Sequence, residues 1–272
     1  MLKIKHLAVI VVLFVTVQSQ TDYCDRELCK SGNGEVRPHI GCNNGGQLAG
    51  NCPSDTEIVV LTEKQKNLFL KIHNRLRDRF ARGAVKPFKP AAKMPMLKWN
   101  DELAKLAEFN VKTCKFAHDK CRATEICRYA GQNLGQMQSY PNFLDINVAI
   151  KNITREWFRE YKDATQANTN KFTSGSNKGK QIGHFTAFIH EKSDKVGCAV
   201  AKFTNDHSFK ECLIACNYCY TNMMNEPIYT KGKPCSQCRK KQCGLVYKNL
   251  CPEDEEVDTT PEVLKKHRRG GQ

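Results

Sequence analysis

Fifteen cysteines constrain this chain more than any other feature. All of them lie between Cys24 and Cys251. A dense cysteine set in an exported chain makes disulfides, whereas in a reducing compartment it points to metal or redox chemistry. The N-terminus indicates which case applies. MLKIKHLAVIVVLFVTVQSQ starts with Lys3 and Lys5 and runs apolar from Leu7 to Val17, broken only by Thr16. It then offers small residues at Val17 and Ser19. This is the layout of a secretory leader over residues 1–19, too short for a membrane span. No other stretch is apolar enough to cross a bilayer, so a soluble, extracellular, monomeric product is expected. The odd cysteine count leaves one thiol unpaired or available to another chain. CSQC (Cys235, Cys238) has CxxC spacing, but in an oxidising compartment among nearby cysteines it reads as structural.

The formal net charge is +15, and +13 remains once Lys3 and Lys5 leave with the leader. A basic exported protein meets heparan sulfate, acidic membranes and cell surfaces. No zinc finger, helix-turn-helix signature or stacking-aromatic stripe accompanies the charge, so nucleic acid is not an expected partner.

Residues 20–60 hold Cys24, Cys29, Cys42 and Cys52 amid turn chemistry (GCNNGG, CPSD), which predicts an irregular, cysteine-rich N-terminal extension. Thr62 and Gln65 form a capping box, and Leu68, Phe69, Ile72, His73, Leu76 and Phe80 form one helical face that Gly83 ends. His73 on that face reads as a packed, hydrogen-bonded core histidine. After a proline-rich loop, Asn100 caps a second helix carrying Leu103, Leu106, Ala107, Asn110, Val111 and Cys114 on one side. A third helix, from about Asp145, places Ile146, Ile150, Ile153, Trp157 and Tyr161 on its stripe. Asn152-Ile153-Thr154 is a glycosylation sequon on this helix, with Asn152 off the stripe. Residues 163–181 are polar and loop-like.

The period then changes. HFTAFIHE, VGCAVAKF and ECLIACNY read as adjacent strands of an antiparallel meander. Helices followed by strands predict an α+β fold. A cysteine-rich segment, 232–251, precedes a charged tail, 252–272, that is acidic, then basic, and expected to be disordered. GHFTAFIHE lacks the His-Glu-x-x-His spacing of zinc proteases. On a strand His190 lies roughly 20 Å beyond His184, so the two do not share a metal, and His190 and Glu191 read as polar strand-end residues.

GHFTAFIHEKSDKVGCAV followed by CNYCYTN resembles the two signature regions of the CAP superfamily, which holds cysteine-rich secretory proteins, antigen 5 allergens and plant pathogenesis-related proteins. HNRLRDRFARG, AGQNLG and WFREYKD resemble three further family segments, in family order, over about residues 56–251. CKFAHDKCR, the GQN variant and the N-terminal extension are similar to insect antigen 5, and to salivary antigen 5-related proteins of blood-feeding sand flies in particular. The resemblance implies a three-layer α-β-α sandwich over 61–231. It implies a cleft formed by His118, Gln132, Glu160 and His184, with His73 and His190 outside the set. Gln132 stands where the family carries a glutamate, and it neither takes a proton at neutral pH nor balances metal charge. No cofactor is implied as required, although two cleft imidazoles can hold Zn²⁺ or Cu²⁺.

By the same resemblance the protein is a non-enzymatic salivary effector and allergen that binds host proteins or small hydrophobic mediators and lipids. Copper- or zinc-dependent superoxide scavenging at His118 and His184, and heparan sulfate or complement binding through the basic surface, are the alternatives. Similarity to antigen 5 implies Cys24–Cys42, Cys29–Cys121, Cys52–Cys114 and Cys198–Cys216, and related fly proteins add Cys238–Cys251. Proximity pairs Cys235 with Cys243, and elimination pairs Cys127 with Cys219 and leaves Cys212 odd. Sequence alone does not fix connectivity.

Overall fold

The computed structural model describes residues 21–31, 34–262 and 264–265; the leader expected over residues 1–19 and residues 266–272 of the tail lie outside them. In chain order the elements are β1 (Glu57–Ile58), α1 (Glu63–Ala81), β2 (Lys98–Trp99), α2 (Asp101–Val111), β3 (Gly131–Ser139), α3 (Ile146–Arg159), α4 (Gln166–Asn170), β4 (Ser176–Asn177), β5 (Lys180–Gln181), α5 (Gly183–Phe188), β6 (Lys195–Thr204) and β7 (Lys210–Tyr218).

The three long helices start where their side chains satisfy orphan backbone donors. Thr62 and Gln65 close a capping box on α1, while Asn100 and Asp145 accept from Leu103 N and Val148 N at α2 and α3. Gly83, at φ +80°, turns the chain out of α1, and a Cβ there would meet Pro90 at 2.7 Å.

Strands β6 and β7 pair antiparallel with Cys198 opposite Cys216. Alternation sorts their side chains between two cores. Val196, Cys198, Val200, Ile214, Cys216 and Tyr218 face a core shared with α1, α3 and α5. Ala199, Ala201, Phe203, Leu213 and Ala215 face a second core with Ala107 and Val111 of α2. Both faces of the sheet are therefore covered, and the fold is a three-layer α-β-α sandwich. Gly197 is the point of closest approach between layers, because a Cβ there would run into the backbone of Asn100 and Ala104. The sheet order is β1-β6-β7-β3, with β2 parallel to β6.

Three expectations need correction. GHFTAFIHE is not a strand. It forms α5 and the turn after it, and the strand that completes the meander is β3, which carries GQNLG. The cause is Arg77, fully buried on α1. Its guanidinium donates to the carbonyls of Phe188 (2.8 Å), His190 (3.2 Å), Ser193 (3.0 Å) and Pro95 (2.8 Å), which leaves those carbonyls unavailable to a sheet. His190 and Glu191 are accordingly not polar strand-end residues. His190 is fully buried, and Glu191 accepts from Thr230 N and Oγ1 at 2.7 and 2.9 Å.

Residues 163–181 are not all loop, since they hold α4 and the β4–β5 ribbon. Disorder also fails for the described part of the tail. Glu255 is buried, accepts from Arg239 N at 2.9 Å and pairs with Lys93 at 3.2 Å. Lys192 reaches over to Thr260 O at 2.8 Å and Glu262 at 2.9 Å.

Fourteen cysteines are joined as Cys24–Cys42, Cys29–Cys121, Cys52–Cys114, Cys127–Cys219, Cys198–Cys216, Cys235–Cys243 and Cys238–Cys251. Cys212 is free and buried. The two cysteines of CSQC thus go to different partners. Among the described residues no helix is long and apolar enough to cross a membrane.

Candidate functional site

Four elements bring the predicted cleft residues together. His118 follows α2, Gln132 is on β3, Glu160 ends α3 and His184 opens α5. His118, Gln132 and His184 line one cleft of about 230 Å³, with Asn133, Phe172 and Asn222 among its other walls. Glu160 stands behind His184: its Oε1 accepts from His184 Nδ1 at 2.6 Å and its Oε2 accepts from Phe185 N at 3.0 Å. One carboxylate therefore ties the end of α3 to the start of α5 and orients the imidazole.

Gln132 is locked by its neighbours. Asn217, opposite it on β7, donates Nδ2 to Leu103 O at 3.0 Å, so its Oδ1 turns towards Gln132. Gln132 Nε2 donates to that oxygen at 3.0 Å and to Asp119 Oδ2 at 2.8 Å. Only Oε1 is left to face His118, and it accepts from His118 Nδ1 at 2.8 Å. Asp119 is itself held by Arg122, Nε to Oδ1 at 2.9 Å. His118 stands at the exposed rim, yet the cleft walls still hold its pKa below the ordinary value. Desolvation is the main cause, the charges of Arg122 and His184 add to it, and the Gln132 bond and Asp119 oppose it. With Nδ1 engaged on both histidines, the Nε2 of each ring stays free of these bonds.

A second chain of bonds runs from the cleft into the core. Asn133 Nδ2 donates to His184 O at 3.1 Å and to the Tyr218 hydroxyl at 3.2 Å. Tyr218 donates to His73 Nε2 at 2.9 Å, and His73 Nδ1 donates to Phe69 O at 2.8 Å. Burial lowers the His73 pKa to about 3, so the ring is neutral and its tautomer is fixed. His73 supports the cleft without lining it. His190 is separate again: burial takes its pKa to about 3, and its ring lies 4.7 Å from that of Tyr220.

Two imidazoles lining one cleft are, by donor chemistry, the kind of set that holds Zn²⁺ or Cu²⁺. Each Nδ1 is anchored by an oxygen, the arrangement that fixes ring orientation and leaves Nε2 to ligate. Among the described residues no group of three close His, Cys, Asp or Glu ligand atoms includes His118 or His184. The sulfur-containing groups, Cys29/His39/Cys121 and Cys238/Cys251/Glu255, have both sulfurs in disulfides and supply no thiolate. Asp119 and Asn217 were not singled out from the sequence. The one signal for Asp119 was its place beside His118 in FAHDK, and Asn217 carried none.

A three-layer sandwich with two cleft histidines, each backed by a polar group, defines a class. The CAP model, described as the cysteine-rich secretory protein family, matches residues 70–227, and this chain belongs to that family. Antigen 5 like allergen Cul n 1 of Culicoides nubeculosus is 44% identical, over 76% of this chain and 95% of its own. Venom allergen-1 of Aedes aegypti is 40% identical, over 91% of this chain and 96% of its own. The solved structure of NaASP2 with Zn²⁺ is similar, with a TM-score of 0.59 and 29% identity, covering 74% of this chain and 99% of that one.

Proposed function

We propose that this chain is an exported, salivary antigen 5-type effector that acts by binding host molecules and turns over no substrate. The observation that carries this reading is Gln132. At the position where the resemblance expects a second acid, a neutral amide is locked by Asp119 and Asn217, and Glu160 is already committed to His184 and Phe185 N. General acid–base work needs a group that exchanges a proton near the operating pH, and the amide does not. The expected ligands are small hydrophobic mediators or lipids and proteins of haemostasis or immunity. Native mass spectrometry of the secreted protein tests this: a retained lipid or a captured plasma protein is expected. A peptidase or esterase activity that vanishes in Glu160→Gln would overturn it.

The two free Nε2 positions support a second reading, Zn²⁺ or Cu²⁺ held by His118 and His184, as the zinc in NaASP2 also suggests. Copper, when bound, supplies one-electron chemistry towards superoxide; the chain's own contribution is the two oriented imidazoles. Equal superoxide removal by copper-loaded wild type and His118→Ala/His184→Ala would sink this reading. Asn152, partly exposed on α3, is the proposed glycan site, and a mass shift on enzymatic deglycosylation that Asn152→Gln abolishes would identify it.

A further inference from the structure

The loop from Cys243 to Cys251 carries two aliphatic side chains in the open. Leu245 is 87% exposed and Val246 80% exposed, whereas Tyr247 beside them and Leu250 behind them pack on the core. Leaving two neighbouring aliphatics in water has a cost that a soluble surface ordinarily avoids. The loop is also rigid. Cys235–Cys243 and Cys238–Cys251 bracket it, and Asn249 N donates to Asp78 Oδ1 of α1 at 2.8 Å. Val246 and Tyr247 form one wall of an open groove of about 420 Å³ whose other wall is Lys71, Arg75, Asn67 and Leu70 of α1. Lys248 is exposed on the loop itself, and Lys241 is exposed two residues before it begins. No ion pair engages Lys71, Arg75, Lys241 or Lys248 among the described residues, whereas neighbouring Arg239 and Lys240 are neutralised by Asp254 and Glu256. Lys71 and Arg75 thus face Val246 across the groove, and Lys248 follows it two residues on.

We propose that this loop is a membrane-docking tip for anionic lipid surfaces. Leu245 and Val246 enter the headgroup–acyl boundary, and Lys71, Arg75, Lys241 and Lys248 meet the anionic headgroups. One apolar or one electrostatic anchor gives weak, reversible binding, whereas the two together hold a protein at a surface. The disulfide frame presents the tip already ordered, which removes the entropy cost of organising it. Heparan sulfate would use the cations but has no use for Leu245 and Val246, and this separates the two partners.

The test is sedimentation of the full secreted chain with vesicles of phosphatidylcholine alone or with phosphatidylserine. Binding to the anionic vesicles only, falling with salt, is expected. Leu245→Ser/Val246→Ser should weaken it by about tenfold or more while retention on heparin is unchanged. Lys71→Gln/Arg75→Gln should weaken it as well. Both pairs of residues lie at the surface, and an unchanged thermal transition checks that the variants fold. No binding to anionic vesicles, or equal binding by the aliphatic double variant, overturns the proposal. Heparin retention without vesicle binding overturns it in favour of a polyanion surface.

Discussion

Gln132 decides what the cleft can do because its amide has both a donor and an acceptor end, and the neighbours use both. A glutamate there would place a carboxylate against Asp119 Oδ2 and Asn217 Oδ1, which now receive its N–H groups. Two carboxylates in contact cannot both stay ionised cheaply, and one pKa rises. Gln132→Glu should therefore destabilise the fold by about 1–3 kcal/mol at pH 8. The raised carboxyl takes up a proton as pH falls, so the deficit should shrink towards pH 5. Thermal unfolding of variant and wild type at both pH values checks this, and a deficit that grows on acidification would contradict it.

The buried histidines set the opposite slope for the wild type. His73 and His190 titrate at about 3 in the folded chain, against about 6.5 unfolded. The unfolded chain therefore binds protons that the fold refuses, and stability is full above pH 6.5 and lost as pH falls towards 3. The slope approaches about 1.4 kcal/mol per pH unit for each histidine. Glu191, whose pKa burial raises, offsets part of this at the acid end. His190→Gln should flatten the profile by one proton's worth. A transition temperature that does not move between pH 7 and 4.5 would refute the account.

At the scale of elements, the helices and the β6–β7 hairpin were legible because one face differs from the other. Thr62, Asn100 and Asp145 announce starts, and the α1 and α3 stripes recur at helical spacing. GHFTAFIHE gave no such contrast. Phe185 to His190 are all buried, and a run buried all round has neither a two-residue nor a 3.6-residue period to read. Its aromatic and β-branched content then suggested a strand, and only Arg77, more than a hundred residues earlier in the chain, makes it helix and turn. Strand β3 was hidden for the opposite reason: its two glycines and Asn133 have little strand propensity, and pairing along β7 imposes the conformation. The cleft positions came from motif resemblance, since their partners sit on four separate elements. Gly197 offers a test of the layering. Gly197→Ala should cost about 1–3 kcal/mol or more, because the new methyl meets the backbone at the start of α2. Gly175→Ala, whose methyl would find only a contact at 3.9 Å, should be nearly silent.

The whole molecule is held by bridges of very different reach. Cys29–Cys121 and Cys127–Cys219 each close 92 residues, while Cys235–Cys243 closes only 8. A long-loop bridge contributes about 2–4 kcal/mol, chiefly by restricting the unfolded chain. With fourteen cysteines committed, any disulfide-linked dimer turns on Cys212. It lies on β7 opposite Met137 of β3 and Lys202 of β6, is 3% exposed, and has its thiol pushed up to about 12 by burial. Thiolate is the reactive form, so at neutral pH this sulfur is both hidden and protonated. An intermolecular disulfide would require the central sheet to open. The native protein should accordingly form no disulfide-linked dimer without reductant and resist a maleimide reagent for hours. In denaturant without reductant it should take up one label per chain. Cys212→Ser should leave the monomer unchanged and lower stability by about 1–3 kcal/mol, by burying a hydroxyl where a thiol packs. Rapid labelling of the native chain, or a dimer that Cys212→Ser abolishes, would overturn this assignment.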